Sequence, residues 1–242
     1  MTEYRKIALV TGGNQGIGYE ICRQLGAAGV KVLVGARDSA RGAEAVRRLS
    51  ADGAEADVIE IDVTDEAQVT KAAAAIAQRY GRLDILVNNA GVLLPEERPG
   101  SSSAELVSQV YETNVLGVIR ATKAMLPLLR RSAAGRIVNM SSSLASLQLH
   151  GDPSFELGAF LMLGYNSSKT AVNALTVLLA KDLADDGIKV NAADPGYCAT
   201  GMTGYASSRT AAEGARTPVR LALLPDNGPT GGFFADSGPV PW

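Results

Sequence analysis

Tyr165 and Lys169 stand four residues apart in the run Tyr165-Asn166-Ser167-Ser168-Lys169, a spacing that puts a phenol and an ammonium on one face of a helix. A phenol has a pKa near 10, so exchanging a proton near neutrality requires a neighbouring positive charge that favours the phenolate. Lys169 is placed to supply it. A hydroxyl from Ser141-Ser142-Ser143 could hold a carbonyl oxygen as charge develops on it. The bland alternative is a surface tyrosine at a helix start beside a serine-rich loop.

A second set of residues has the chemistry of phosphate binding. Thr11-Gly12-Gly13-Asn14-Gln15-Gly16-Ile17-Gly18 follows an apolar run and precedes an amphipathic one. Glycines let the backbone turn tightly and approach a pyrophosphate, whose oxygens meet the free amides of the helix start. The plainer alternative is a turn that joins strand to helix. The loop has no Gly-Lys-Ser/Thr ending, which argues against a nucleotide-hydrolysing loop. Nucleophilic hydrolysis is a poor rival, because the one histidine, His150, falls in a stretch at 148–152 that reads as a flexible insertion. There is also no Gly-x-Ser-x-Gly elbow.

These groups need a scaffold. Apolar, β-branched runs at 7–10, 32–34, 58–61, 85–87, 137–140 and 189–192 read as strands, and 232–235 as a short closing one. Most are not alternated, which is how a strand covered by helices on both faces reads. Helices are expected at 17–28, 39–51, 66–80, about 103–130 and about 163–186, with Ser39 and either Thr64 or Asp65 as caps. Strand and helix alternating this way predict a doubly wound, mainly parallel α/β sheet in one domain spanning 1–242, with ligands at the carboxyl ends of the strands. Pro225 to Pro229 reads as a turn and Pro239-Val240-Pro241 as a tail.

The end of the second strand decides which dinucleotide fits. Ala36 stands where an acid would hold a bare ribose, and Arg37 follows at once, which suits a 2′-phosphate, with Asn14 and Arg41 as helpers. Asp38 reads as a helix cap. Composition excludes other partners: 23 basic and 25 acidic residues, evenly interspersed, argue against nucleic acid or an anionic membrane as the main partner. The start, Met1-Thr2-Glu3-Tyr4-Arg5-Lys6, is charged where a signal peptide is apolar, and no apolar run nears the roughly 18 residues of a membrane span. A soluble, cytoplasmic protein is expected. Cys22 and Cys198 suggest neither a disulfide framework nor a metal site.

In order along the chain, these residues resemble the short-chain dehydrogenase/reductase family, whose fold is a Rossmann-type three-layer α/β/α sandwich. Gly12, Asn14, Gln15, Gly16, Ile17 and Gly18 are similar to its cofactor loop, Asp62 and Val63 to the pair that meets the adenine, and Asn89, Ala90 and Gly91 to the element beside the adenosine ribose. Asn114, Ser142, Tyr165 and Lys169 match its catalytic tetrad, although Ser141 or Ser143 could be the serine. Pro195-Gly196-Tyr197-Cys198-Ala199-Thr200 resembles the turn that holds the nicotinamide, through Pro195, Gly196, Cys198 and Thr200. The resemblance implies NADP(H) as cofactor and hydride transfer between nicotinamide C4 and a ketone, aldehyde or secondary alcohol. Tyr165 would be the acid or base, with its pKa lowered by Lys169. Asn114 would kink its helix.

The run Glu213 to Pro218 with Leu221 to Pro225 resembles the carbonyl-reductase branch. An alcohol dehydrogenase or imine reductase is the nearest alternative, and a non-catalytic NADP(H)-binding regulator one from another class. Leu94, Ser142, Leu144, Tyr197, Met202 and Tyr205 are the expected substrate contacts, with Leu93 and Pro95 beside them. The wide spacing from Ser142 to Tyr165 implies an insertion near 147–160 beside a substrate loop near 197–210. Leu116, Val118, Ile119, Val172, Leu175 and Leu179, on more than one face of their helices, suggest a homodimer or homotetramer.

Overall fold

A computed structural model describes residues 5–96 and 98–242, so the stretch 1–4, read above against a leader, lies outside the described residues. The unalternated apolar runs form strands: β1 (Ile7–Thr11), β2 (Lys31–Ala36), β3 (Ala56–Glu60), β4 (Ile85–Asn88), β5 (Arg136–Met140), β6 (Lys189–Ala193), β7 (Phe233–Ala235) and β8 (Gly238–Pro239). They form one sheet in the order β3-β2-β1-β4-β5-β6-β7-β8, parallel through β7. The strand order reverses between β1 and β4, which opens the crevice where a ligand binds in such sheets.

Both faces of the sheet are covered, as the pattern requires. Ala8 and Val10 of β1 join one apolar cluster, with Ile21 and Leu25 of α1 (Gly16–Ala27), Leu49 of α2 (Ser39–Ala51) and Leu221. Ile7 and Leu9, facing the other way, join a second with Ile76 of α3 (Glu66–Tyr80) and Met125.

Several local expectations shift. Asp38 caps α2, accepting from the amides of Ala40 and Arg41, so Ser39 is its first residue and not its cap. Asp65, rather than Thr64, caps α3. The single helix expected at 103–130 is α4 (Ala104–Tyr111), a π-helical turn at Glu112–Leu116 and α5 (Gly117–Leu129). The π-helical turn brackets Asn114, the residue at which the helix is expected to kink. The stretch at 148–152 is not a loop, because Leu147–His150 forms the short helix α6, capped by Ser146. The helix carrying Tyr165, α7 (Leu163–Asp182), stops four residues early, and turns follow it. Part of the expected tail pairs antiparallel with β7 as β8. Among the residues named for assembly, Val118 and Val172 are packed in the core and unavailable to a partner, whereas Leu116 and Ile119 are exposed. Two short helices, α8 (Ala211–Gly214) and α9 (Arg216–Ala222), precede β7. No helix among the described residues is long and apolar enough to cross a membrane.

Candidate active site

The glycine loop leaves β1 with Gly12 and Gly16 at positive φ, +65° and +53°, conformations costly for any residue with a Cβ. Gly18 answers a different need, since a Cβ there would lie 2.2 Å from the Gly12 carbonyl oxygen. The first turn of α1 has no capping side chain at Gln15, so its amides point outward as an anion site does. Asn89 Nδ2 donates to the Thr11 and Gly12 carbonyls at 2.9 and 3.2 Å, and the Thr11 hydroxyl accepts from the amides of Asn89 and Ala90, both at 3.0 Å. Two segments nearly eighty residues apart are thereby joined into one cradle. Arg37, just after β2, and Arg41, in the first turn of α2, are exposed, and Asn14 of the glycine loop is partly buried. Asp62 holds its own turn, accepting from the Thr64 amide and hydroxyl, and Val63 is buried.

The serines at the end of β5 separate by their partners. Ser141 is buried and donates to Asn173 Oδ1 at 2.6 Å, and Ser143 bonds Asp194. Ser142 is the one whose hydroxyl meets the Tyr165 phenol. The alternatives left open by the sequence are thus distinguished by the hydrogen bonds.

Lys169 is buried, donates to the Met140 carbonyl at 2.8 Å and lies 5.7 Å from the centroid of the Tyr165 ring. Burial lowers its pKa to about 8. The same burial pushes Tyr165 up to about 12, with the negative charge of Asp194 adding to the rise and the Ser142 bond opposing it. The expected lowering of the Tyr165 pKa is therefore reversed in the free protein. Desolvation disfavours the phenolate, and the Lys169 ammonium is turned toward the Met140 carbonyl.

Asn114, buried in the π-helical turn, grips the loop that follows the Asn-Asn-Ala-Gly element. Its Oδ1 accepts from the Val92 amide at 2.8 Å, and its Nδ2 donates to the Val92 carbonyl and to Ser168 Oγ, both at 3.0 Å. A Cβ at Gly91 would come 3.3 Å from Asn114 Oδ1 and 3.6 Å from Lys169 Nζ. The glycine keeps open the space where those two groups converge. Across the site, Gly196 turns at φ +73° and donates its amide to Asp194 Oδ1 at 2.9 Å. Thr200 would lie 3.7 Å from a Cβ on Gly16, which sets the Pro195–Thr200 turn against the glycine loop. Cys198 is buried beneath it, with its thiol pushed up by desolvation.

The expected substrate contacts are more scattered. Leu144 is buried and Leu94 half-buried, whereas Tyr197, Met202 and Tyr205 are exposed. Tyr205 is the one non-glycine among the described residues at positive φ, +60°. His150 packs edge-on to Phe155, with Nε2 3.1 Å from the Leu144 carbonyl and 3.4 Å from Asn166 Nδ2 of α7. Sequence reading missed four residues. Asp194 stood next to a quoted motif and could have been flagged. Glu96, Phe160 and Arg209, which donates to the Pro195 carbonyl at 2.7 Å, carry no local signal.

Comparison with known proteins gives a consistent result. The family model described as short chain dehydrogenase matches residues 6–211. The (+)-neomenthol dehydrogenase of Capsicum annuum is 34% identical over 304 residues, covering 96% of each chain. Carbonyl reductase (NADPH) 1 of Mus musculus is 32% identical and covers all of both chains. Among solved structures, the NADPH-bound carbonyl reductase from chicken fatty liver superposes with a TM-score of 0.86 at 28% identity, covering 99% of this chain and 100% of its own.

Proposed function

The chain belongs to the short-chain dehydrogenase family, and from that premise we propose that it is an NADPH-dependent reductase of ketones or aldehydes. The observation that carries this reading is the hydrogen-bonded pair of Ser142 and Tyr165, with Lys169 buried beside it, at the sheet edge that also bears the glycine cradle. Bound NADPH supplies a hydride from its nicotinamide ring. Every other task falls to the chain. The glycine loop and the open amides of α1 hold the pyrophosphate, Asn89, Ala90 and Gly91 lie beside the adenosine ribose, Lys169 receives the nicotinamide ribose, and Arg37 takes the 2′-phosphate.

The pKa values favour the reducing direction. A phenol held at about 12 stays protonated near neutrality and is ready to donate to a carbonyl oxygen gaining negative charge. Ser142 holds that oxygen, and Lys169, with a pKa of about 8, is still largely an ammonium at pH 7 and returns a proton toward Tyr165. The half-buried Leu94 and the apolar side chains around the mouth suit a bulky, apolar carbonyl compound. The test is a panel of aldehydes and ketones with NADPH, followed by loss of nicotinamide absorbance. Turnover that survives Tyr165→Phe unchanged, or no turnover with any carbonyl compound, overturns the reading.

A further inference from the structure

α7 starts without a cap of its own. Met162, at the N-cap position, offers no side-chain acceptor, so the first amides of the helix need partners from elsewhere. They find them in Glu96, nearly seventy residues away: Oε2 accepts from the Gly164 amide at 2.7 Å and Oε1 from the Tyr165 amide at 2.9 Å. Both carboxylate oxygens are thus committed to two successive amides at the positive end of a helix, the arrangement that most favours an anion. The fit is tight, since a Cβ on Gly164 would lie 3.1 Å from Glu96 Oε1 and 3.3 Å from Val110 Cγ2.

Glu96 ends a loop whose other end is also held. Val92 is clamped through both its amide and its carbonyl by Asn114, and Leu93, Leu94 and Pro95 span the interval. We propose that Glu96 is a positioning residue that fixes this apolar loop to the backbone of Tyr165, so that the substrate wall and the proton donor move as one body. The inference rests on the role proposed above for Tyr165.

The experiment compares the full-length parent with Glu96→Ala and the isosteric Glu96→Gln, which keeps a single acceptor oxygen. Three quantities are measured: hydrogen exchange at the amides of residues 164 and 165, NADPH affinity, and kcat and KM for a ketone that the parent reduces. Glu96→Ala is expected to speed exchange at both amides and raise KM about five- to tenfold, the net scale of one ordinary hydrogen bond. NADPH affinity should stay within about twofold. Glu96→Gln should fall between parent and Glu96→Ala in both exchange and KM. Unchanged exchange, faster exchange with an unchanged KM, or a loss shared equally by NADPH affinity overturns the proposal, the last because it would mark general destabilisation. A parent that reduces no carbonyl compound counts against the proposed function. The exchange rates then judge the Glu96 anchor alone, faster exchange in Glu96→Ala supporting it and unchanged exchange overturning it.

Discussion

The cradle around the glycine loop and the rim around the insertion differ in what they are made of. In the cradle, the groups that would face a ligand are backbone: the positive φ of Gly12 and Gly16, the Gly12 carbonyl against Gly18, and the Thr11 and Asn89 bonds that tie β1 to the end of β4. In the rim they are side chains, Leu94, Phe160, Leu161, Tyr197 and Met202, carried on three separate segments and largely exposed. A backbone site tolerates little change, because an added Cβ is strained at the positive φ of Gly12 and Gly16 and meets the Gly12 carbonyl at Gly18. A side-chain rim can be rebuilt without disturbing the sheet. The difference teaches that one scaffold can keep its cofactor while its substrate changes.

The comparison is tested most severely where the two regions meet. Tyr165→Phe removes only a hydroxyl, so NADPH affinity should stay within a few-fold while turnover falls by about 10² to 10⁴-fold, the usual contribution of a positioned general acid. Steady-state rates and cofactor titration of the same preparation check it. A loss of affinity that matches the loss of turnover would place Tyr165 in the cradle instead.

Lys169 belongs to the cradle by position but pays a burial cost that pH exposes. Its folded pKa of about 8 lies below the ordinary 10.5, so below pH 8 the ammonium is charged in both folded and unfolded chains and destabilises the fold in full. Between about pH 8 and 10.5 the folded chain loses its proton first, and stability rises with pH. Lys169→Met should therefore stabilise the cofactor-free protein at pH 7 by on the order of 3 kcal/mol, and this gain should shrink toward pH 10. Denaturant midpoints at pH 7, 8.5 and 10 measure it. A gain that does not shrink would locate the cost elsewhere.

Arg37 is the one part of the cofactor reading that depends on an exposed side chain. Arg37→Ala should weaken NADPH by about tenfold to a hundredfold, from the loss of one or two charge-assisted bonds to the 2′-phosphate, and leave NADH nearly unchanged. The ratio of kcat/KM for the two cofactors, in parent and variant, decides the point. A parent that prefers NADH, or a ratio that does not move, removes Arg37 from the site.

What could be read in the sequence follows the same division. The glycine loop, the alternation of strand and helix and the Tyr165–Lys169 pair are local: each is carried by adjacent residues whose pattern already holds its geometry. The sequence favours Ser142 over its neighbours only by its place two residues after Met140; the partners that separate the three serines, Asn173, Asp194 and Tyr165, come from other elements and were not legible. The same holds for Glu96, an acid in a loop until α7 folds over it. The upward shift of Tyr165 was missed for a related reason, since helical spacing shows that a lysine is near but not how much desolvation the phenol meets. A loop or short helix is what the spacing implies for 147–160, and α6 is that helix; that His150 sits on it could not be read, because four residues are too few for any periodicity to show.

The smallest expected effect sharpens the comparison from the rim side. Phe160 of the insertion and Tyr197 of the turn after β6 bring their rings to a centroid distance of 5.8 Å at a tilt of 37°. The Phe160 carbonyl accepts from Asn166 Nδ2 at 2.8 Å, so the residue next to Tyr165 holds the backbone that presents this ring. An aromatic pair of this kind contributes about 0.5 to 1.5 kcal/mol beyond its area. If the pair forms a wall for bulky substrates, Phe160→Ala should raise KM for a large cyclic ketone by about two- to tenfold, because 1.4 kcal/mol corresponds to tenfold in affinity. A small aliphatic aldehyde, too short to reach the wall, should be reduced with nearly the parent KM, and NADPH affinity should not change. An equal rise for both substrates would mean that the insertion shapes the whole site and not its rim, and a fall in NADPH affinity would mean that rim and cradle are not independent.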